Sequence, residues 1–265
     1  MNQRKRIQVT PLGSMGWIPI PERHTAAYQV HLPDVDLFLD AGTGLSRLVE
    51  KPVVEKDLEK PVVLLLSHFH LDHTAGLIYL PALFPRRRMI IAAPGVKVYG
   101  ESAAAIIDRL VAPPFFARPL SASLPNLEIV DLVPGRNRIA GLDIHCRVQK
   151  HTNPSLGIRL GNDLAYITDT GVDPETVAFA AGCPLLMHEC WGRGETVAAS
   201  GHSHLEGVLE TARQAGVDHL MLIHLNPLLG EEEITGLEKT ARQGFPTAAV
   251  ARDLVPWPLA PGDGS

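Results

Sequence analysis

Apolar residues along this chain fall in short, dense runs, separated by polar turns that carry glycine or proline. The run 62–66, Val-Val-Leu-Leu-Leu, is β-branched at its start and preceded by Pro61, which predicts a buried strand. The same reasoning predicts strands at 7–10, at 26–31 and 35–39 (a hairpin about Pro33-Asp34), and at 89–92, 127–132, 141–149, 156–160, 164–168, 185–188 and 220–224. Helical spacing predicts helices at 45–58, interrupted at Pro52, and at 73–83, 95–110, 203–215 and 231–243. Between 112 and 125, Pro113, Pro114, Pro119 and Pro125 surround Phe115 and Phe116, predicting an ordered loop able to wall a cleft. The Pro-Trp-Pro and Pro-Gly-Asp-Gly-Ser segments at the end predict a loosely held tail. No linker or shift of composition divides the chain, so the expectation is one domain, 1–265, of mixed sheets flanked by helices.

Composition narrows the class without naming a function. Hydrophobic residues make up 45% and charged residues 20%, as in an ordinary globular protein. A formal net charge of −5 leaves no electrostatic footprint of a dedicated nucleic-acid binder. The basic triplets Arg4-Lys5-Arg6 and Arg86-Arg87-Arg88 read as a solvated terminus and a solvated turn. Three cysteines, Cys146, Cys183 and Cys190, lack any C-x-x-C spacing and argue against both a disulfide framework and a thiolate metal site. The basic amino terminus is followed by no apolar stretch of signal-peptide type, and no run reaches transmembrane length, so the expected location is cytoplasmic, with no membrane partner.

Chemistry gathers where the predicted strand 62–66 ends. Ser67-His68-Phe69-His70-Leu71-Asp72-His73 places four potential metal ligands within six residues, and imidazole with carboxylate suits divalent cations such as zinc. In extended chain His68 and His70 point to one side. Asp72 and His73 sit at the turn into the next helix and address a second point, so the motif reads as half of a two-metal site. Loop histidines at the surface are the bland alternative, which this density of ligands disfavours. The other half is available at later strand ends, in His151, Asp169 and His224. Each alone could be a turn or cap residue. An aspartate such as Asp169 could bridge two cations. The turn Asp40-Ala41-Gly42-Thr43-Gly44 permits a tight bend but lacks the signature of a phosphate-binding loop.

The pattern His68-x-His70-x-Asp72-His73, followed in order by His151, Asp169 and His224, resembles the metallo-β-lactamase-fold hydrolases. That resemblance implies an α/β fold, a four-layer αββα sandwich, with two divalent metal ions, Zn2+ by preference and Mn2+ or Fe2+ as alternatives. It assigns His68, His70 and His151 to one ion and Asp72, His73 and His224 to the other, with Asp169 bridging. Asp72 counts as both ligand and catalytic residue. His188-Glu189-Cys190, Gly201-His202-Ser203-His204 and the early Leu12-Gly13-Ser14 loop resemble the ribonuclease Z-like phosphodiesterases. In that group the glutamate orients a histidine that protonates or stabilises the leaving oxygen, here Glu189 and His202. Helix capping and surface polarity are the bland alternative for this pair. His204 could contact substrate or lie exposed in the first turn of its helix.

One departure from ribonuclease Z bears on substrate. The segment 94–142 is short, apolar and proline-rich, without the basic insertion that forms a tRNA-gripping arm, and His151-Thr152-Asn153-Pro154 replaces that enzyme's lysine-bearing loop. The expectation is a phosphodiesterase acting on a small or cyclic phosphodiester through hydroxide supplied by the metal ions, with nucleic acid disfavoured. Dimerisation follows from the resemblance only. A thioesterase or lactonase of the same fold is the alternative enzyme, and an RNA- or protein-binding scaffold that kept the fold is the non-enzymatic one. A secreted β-lactamase is disfavoured by the missing signal peptide, and a flavin-linked diiron protein by His70, where that group typically carries glutamate. His31, His145 and His219 read as surface or filler positions, and Arg23 with His24 as no more than cleft rim.

Overall fold

The computed structural model describes residues 7–50 and 59–257. The basic triplet at 4–6, the part of the expected 45–58 helix after 50, and the tail from 258 onward lie outside the described residues. Two sheets are built from consecutive halves of the chain. The first runs β1 (Gln8–Gly13), β2 (Ala27–His31), β3 (Asp36–Leu39), β4 (Val62–Leu65), β5 (Met89–Pro94) and β6 (Leu127–Leu132), in that spatial order. Its first two pairings are antiparallel and its last three parallel. The second sheet contains β7 (Gly135–Ile139), β8 (Leu142–Gln149), β9 (Ser155–Leu160), β10 (Leu164–Ile167), β11 (Leu185–Glu189), β12 (His219–Ile223) and β13 (Ala248–Val250). Pairings from β7 to β10 are antiparallel and those from β10 to β13 parallel.

Helices follow the same division. With the first sheet come α1 (Leu71–Thr74), α2 (Leu80–Leu83), α3 (Val96–Tyr99), α4 (Ala103–Leu110) and α5 (Leu120–Ser123). With the second come α6 (Glu175–Ala180), α7 (Glu195–Ala199), α8 (Leu205–Ala215) and α9 (Glu231–Gly244). The strand sequences explain the layers. Successive side chains of a strand face opposite sides. Val63 and Leu65 therefore join Tyr166, Met187 and Ile223 in a core between the sheets, while Val62 and Leu64 pack outward under Leu77, Leu80 and Ile107. On the second sheet, Leu186 and Leu222 pack outward under Val208, Ala212 and Leu237. Central strands buried on both faces must be apolar throughout, which is why 62–66 reads as an unbroken run.

Several expectations need correction. The helical stretch 73–83 is three short pieces, α1, a 3-10 turn at Ala75–Tyr79 and α2. The 95–110 helix is broken into α3 and α4, because Gly100 closes α3 in a left-handed conformation and Ser102 caps α4. Of 45–58, the described part is a 3-10 turn at Thr43–Glu50. Unanticipated were β7, whose alternation carries exposed arginines rather than an apolar run, the three-residue β13, and the short α6 and α7. Arg87 is no solvated turn residue; it is buried, paired with Asp36 at 2.7 Å and donating to the Lys60 carbonyl. Nor is Trp257 loosely held, since it exchanges two backbone hydrogen bonds with Val9, at 2.7 and 2.8 Å. No helix among the described residues is long and apolar enough to cross a membrane.

Candidate metal centre

The C-terminal ends of the parallel strands meet along one edge of the sandwich, and the polar residues of the site are delivered there. Asp40 follows β3, Ser67 to His70 follow β4, Asp169 follows β10, Glu189 ends β11 and His224 follows β12. Asp40, Asp169 and His224 adopt positive φ, at 57°, 49° and 49°. Left-handed backbone costs a residue with a Cβ about 1 kcal/mol or more, so three such residues at neighbouring strand ends mark a place where geometry outweighs local strain.

Two ligand groups share one carboxylate. His68, His70, His151 and Asp169 offer donor atoms within 4.8 Å of one another, as do Asp72, His73 and His224. Asp169 turns its two oxygens in opposite senses. Oδ1 lies 3.8 Å from His68 Nε2 and 3.5 Å from His151 Nε2, whereas Oδ2 lies 3.0 Å from His73 Nε2 and 3.3 Å from His224 Nε2. Asp72 Oδ2 closes the second group, 3.3 Å from His224 Nε2, and accepts the Trp17 amide at 2.7 Å. Every residue expected at the two metal positions is thus brought together.

The electrostatics couple carboxylates to imidazoles: against their burial, Asp169 and Asp72 hold His73 well above and His224 above the ordinary histidine value. Burial alone would raise the Asp169 carboxyl, but the imidazoles of His224, His73 and His68 hold it well below the usual range. Asp72 is likewise held far down against its burial, by His73 and His224. Burial pushes His68 well below the ordinary histidine value and His151 down to about 4, leaving both rings neutral with a free lone pair. His68 Nε2 is buried without a hydrogen-bond partner, and His73 Nε2 is buried facing the Asp169 carboxylate. Buried imidazole nitrogens converging on a carboxylate are a donor set that fits a divalent cation.

Further residues aim the rings, and the sequence did not disclose them. Asp40 was visible only as the start of a glycine turn. In the structure it is fully buried; Oδ2 accepts from His73 Nδ1 at 2.7 Å and from the Tyr166 hydroxyl at 2.6 Å, and Ser67 donates both its amide and its hydroxyl. That bond leaves His73 Nε2 facing Asp169. Asn153 accepts from His70 Nε2 at 3.2 Å, which presents His70 Nδ1 inward, 3.2 Å from His151 Nε2. Gly16 lies so close to His224 that a Cβ there would come within 2.4 Å of the ring. Its amide donates to the Leu225 carbonyl, so the Ser14–Gly16 loop braces the segment that carries His224.

Glu189 and His202 form the expected pair. Buried Glu189 accepts from His202 Nδ1 at 2.9 and 3.2 Å and from the Thr170 amide. Burial pushes its carboxyl up, opposed by His202. His202 in turn reaches Asp169 and His224. His204 stands apart, as the N-cap of α8, where Nδ1 accepts from the Gly207 amide at 3.3 Å. Ser14 and Arg23 are buried against each other and against Asp253 and Glu231, away from any cleft rim. A cleft of about 770 Å³ opens beside His151, lined by Lys150, Thr152, Thr170, Ser200 and Gly201.

Residues 36–225 match the family profile described as "Beta-lactamase superfamily domain". The ribonuclease Z of Methanopyrus kandleri is 29% identical, over 91% of this chain and 94% of its own length. Among solved structures, the metallo-β-lactamase fold protein YhfI of Bacillus subtilis superposes with a TM-score of 0.75 at 20% identity, covering 95% of this chain and 98% of its own. A diphosphatase of the PhnP family does so with a TM-score of 0.72 at 16% identity, covering 95% and 96%. At such identities these two structures speak for the fold alone. The profile runs from β3 to β12 and takes in all seven residues of the two ligand groups, and the chain belongs to the β-lactamase superfamily, with the metallo-β-lactamase fold.

Proposed function

We propose that this metal-dependent hydrolase is a single-domain phosphodiesterase with a two-cation centre, acting on a small or cyclic phosphodiester. His68, His70 and His151 would hold one cation and Asp72, His73 and His224 the other, with Asp169 shared between them. The divided orientation of its two oxygens and the unpartnered His68 nitrogen support this assignment. An all-imidazole and carboxylate donor set fits Zn2+ and accommodates Mn2+ or Fe2+. When bound, such ions supply charge neutralisation for a phosphate and hydroxide at neutral pH.

The observation that carries the phosphodiester reading is the Glu189–His202 pair. Phosphodiesters with alkoxide leaving groups need a proton on the departing oxygen. Glu189 binds His202 through Nδ1, so Nε2 is the nitrogen left to face substrate. His202 offers a nitrogen close to Asp169 and His224, near enough to share an ion with them, while its Nδ1 is committed to Glu189, which supports a proton-donor role. The Methanopyrus relative bears the name of a phosphodiester-cleaving enzyme, which supports the same chemistry. Within 95–132, α4 packs on β5 and β6 of the first sheet and against α5, which supports a small substrate over a tRNA.

Elemental analysis with a substrate panel tests the reading. Purified protein is expected to carry close to two divalent ions per chain and to hydrolyse bis(p-nitrophenyl) phosphate in a metal-dependent way. Asp169→Ala should abolish that activity, and His202→Ala should slow it by about 10²-fold or more on phosphodiesters with poor leaving groups. Full activity in metal-free protein would refute it, and preferential turnover of a thioester or lactone would move the chain to the alternative enzymes.

A further inference from the structure

His202 is fixed through only one of its nitrogens. The bond from Nδ1 to Glu189 sets the distance of the ring from the site but leaves the ring plane able to turn about that bond. An imidazole that turned would aim Nε2 away from the leaving oxygen, and misplacement of about 1 Å costs a proton donor much of its effect. Something else has to hold the plane.

Trp191 lies face to face with His202, the ring centroids 4.3 Å apart and the planes 12° from parallel. Its other neighbour is His224, at 5.5 Å and 31°. The indole is itself held on several sides. The Trp191 amide donates to the Ser203 carbonyl at 2.9 Å, tying it to the residue after His202, and the Cys190 amide donates to the Ile223 carbonyl at 3.0 Å, tying it to the residue before His224. Gly16 packs against the indole, since a Cβ there would fall 2.6 Å from Trp191 Cζ3. Substrate need not touch the indole for it to matter, and neither the hydrogen-bond pattern of the site nor the ligand groups involve it.

We infer that Trp191 is a positioning residue for leaving-group protonation: its indole face fixes the plane of His202 while Glu189 fixes the distance. The inference rests on the phosphodiesterase reading. It differs from a mere packing role in one respect. A positioning residue for a proton donor matters in proportion to how badly the leaving group needs the proton.

The test compares the metal-loaded wild type with Trp191→Leu and Trp191→Phe on two substrates. Bis(p-nitrophenyl) phosphate releases a phenolate that leaves unaided, and thymidylyl-thymidine releases an alkoxide that does not. Trp191→Leu is expected to lower kcat on thymidylyl-thymidine about ten-fold or more with KM little changed, and to leave bis(p-nitrophenyl) phosphate within about three-fold. Trp191→Phe, which keeps a flat face, should recover most of the loss. In a His202→Ala background, Trp191→Leu should cost nothing further on the poor leaving group. In NMR spectra of the free protein, the His202 ring protons should lose their upfield shift in Trp191→Leu and keep it in Trp191→Phe. Equal losses on the two substrates, a loss that appears in KM, additivity with His202→Ala, or an unshifted His202 ring in the wild type would each overturn the inference while leaving the phosphodiesterase reading in place. A wild type that turns over neither substrate would overturn both.

Discussion

At the residue scale the site divides into groups that the sequence displays and groups that it hides. His68, His70, Asp72 and His73 are legible because four ligand types crowd into six positions after an apolar run. Asp40 is hidden because its partners lie 27, 33 and 126 positions away, at Ser67, His73 and Tyr166, and only the sheet brings them together. Trp191 is hidden for a related reason: stacking on His202 requires two loops to run side by side, which no local pattern announces. Asp40 also carries a prediction. Asn in its place keeps the shape but can no longer serve both His73 and Tyr166 as an anionic acceptor. Asp40→Asn is therefore expected to weaken metal binding about 10- to 100-fold, read by competition with a chromogenic chelator. Unchanged affinity would show that His73 needs no carboxylate behind it.

At the element scale, strands were easier to read than helices. A central strand covered on both faces is an uninterrupted apolar word, and 62–66, 164–168, 185–188 and 220–224 were all found within a residue or two. β7 escaped because an edge strand with Arg136 and Arg138 exposed has no such signature. Helices that pack in pieces on a sheet, such as α1 and α2, give too few turns for periodicity to show their ends. The start of α8 is where element and site meet, for His202 and His204 are two residues apart and do different work. His204→Ala should lower stability by about 1 kcal/mol in denaturant unfolding, the usual value of an N-cap, while kcat stays close to wild type. A loss of activity as deep as that of His202→Ala would place His204 at the substrate instead.

For the whole molecule, the order of ligands along the chain carries the resemblance that implies the layered sandwich, and the structure gathers those ligands after only four strands, β4, β8, β10 and β12. Not legible was how the chain is shared between the layers. Residues up to Leu132 build one sheet and those from Gly135 the other, so the connection between the two is Val133-Pro134. His68, His70, Asp72 and His73 belong to the first part, and His151, Asp169, Glu189, His202 and His224 to the second. Neither part holds the whole of the His68–His70–His151–Asp169 group or of the Asp72–His73–His224 group. A chain severed between Val133 and Pro134 would thus be two inert pieces, each exposing an apolar sheet face that only the other can cover. Co-expressed, they should reassociate and regain metal-dependent hydrolysis, with chelator shifting the equilibrium toward the separate pieces, because ions bound across the seam would favour the joined form. Activity in either piece alone would contradict this. The metal pair would then act as a clasp as well as a reagent, and whether the two sheets stay together would become a readout of metal supply.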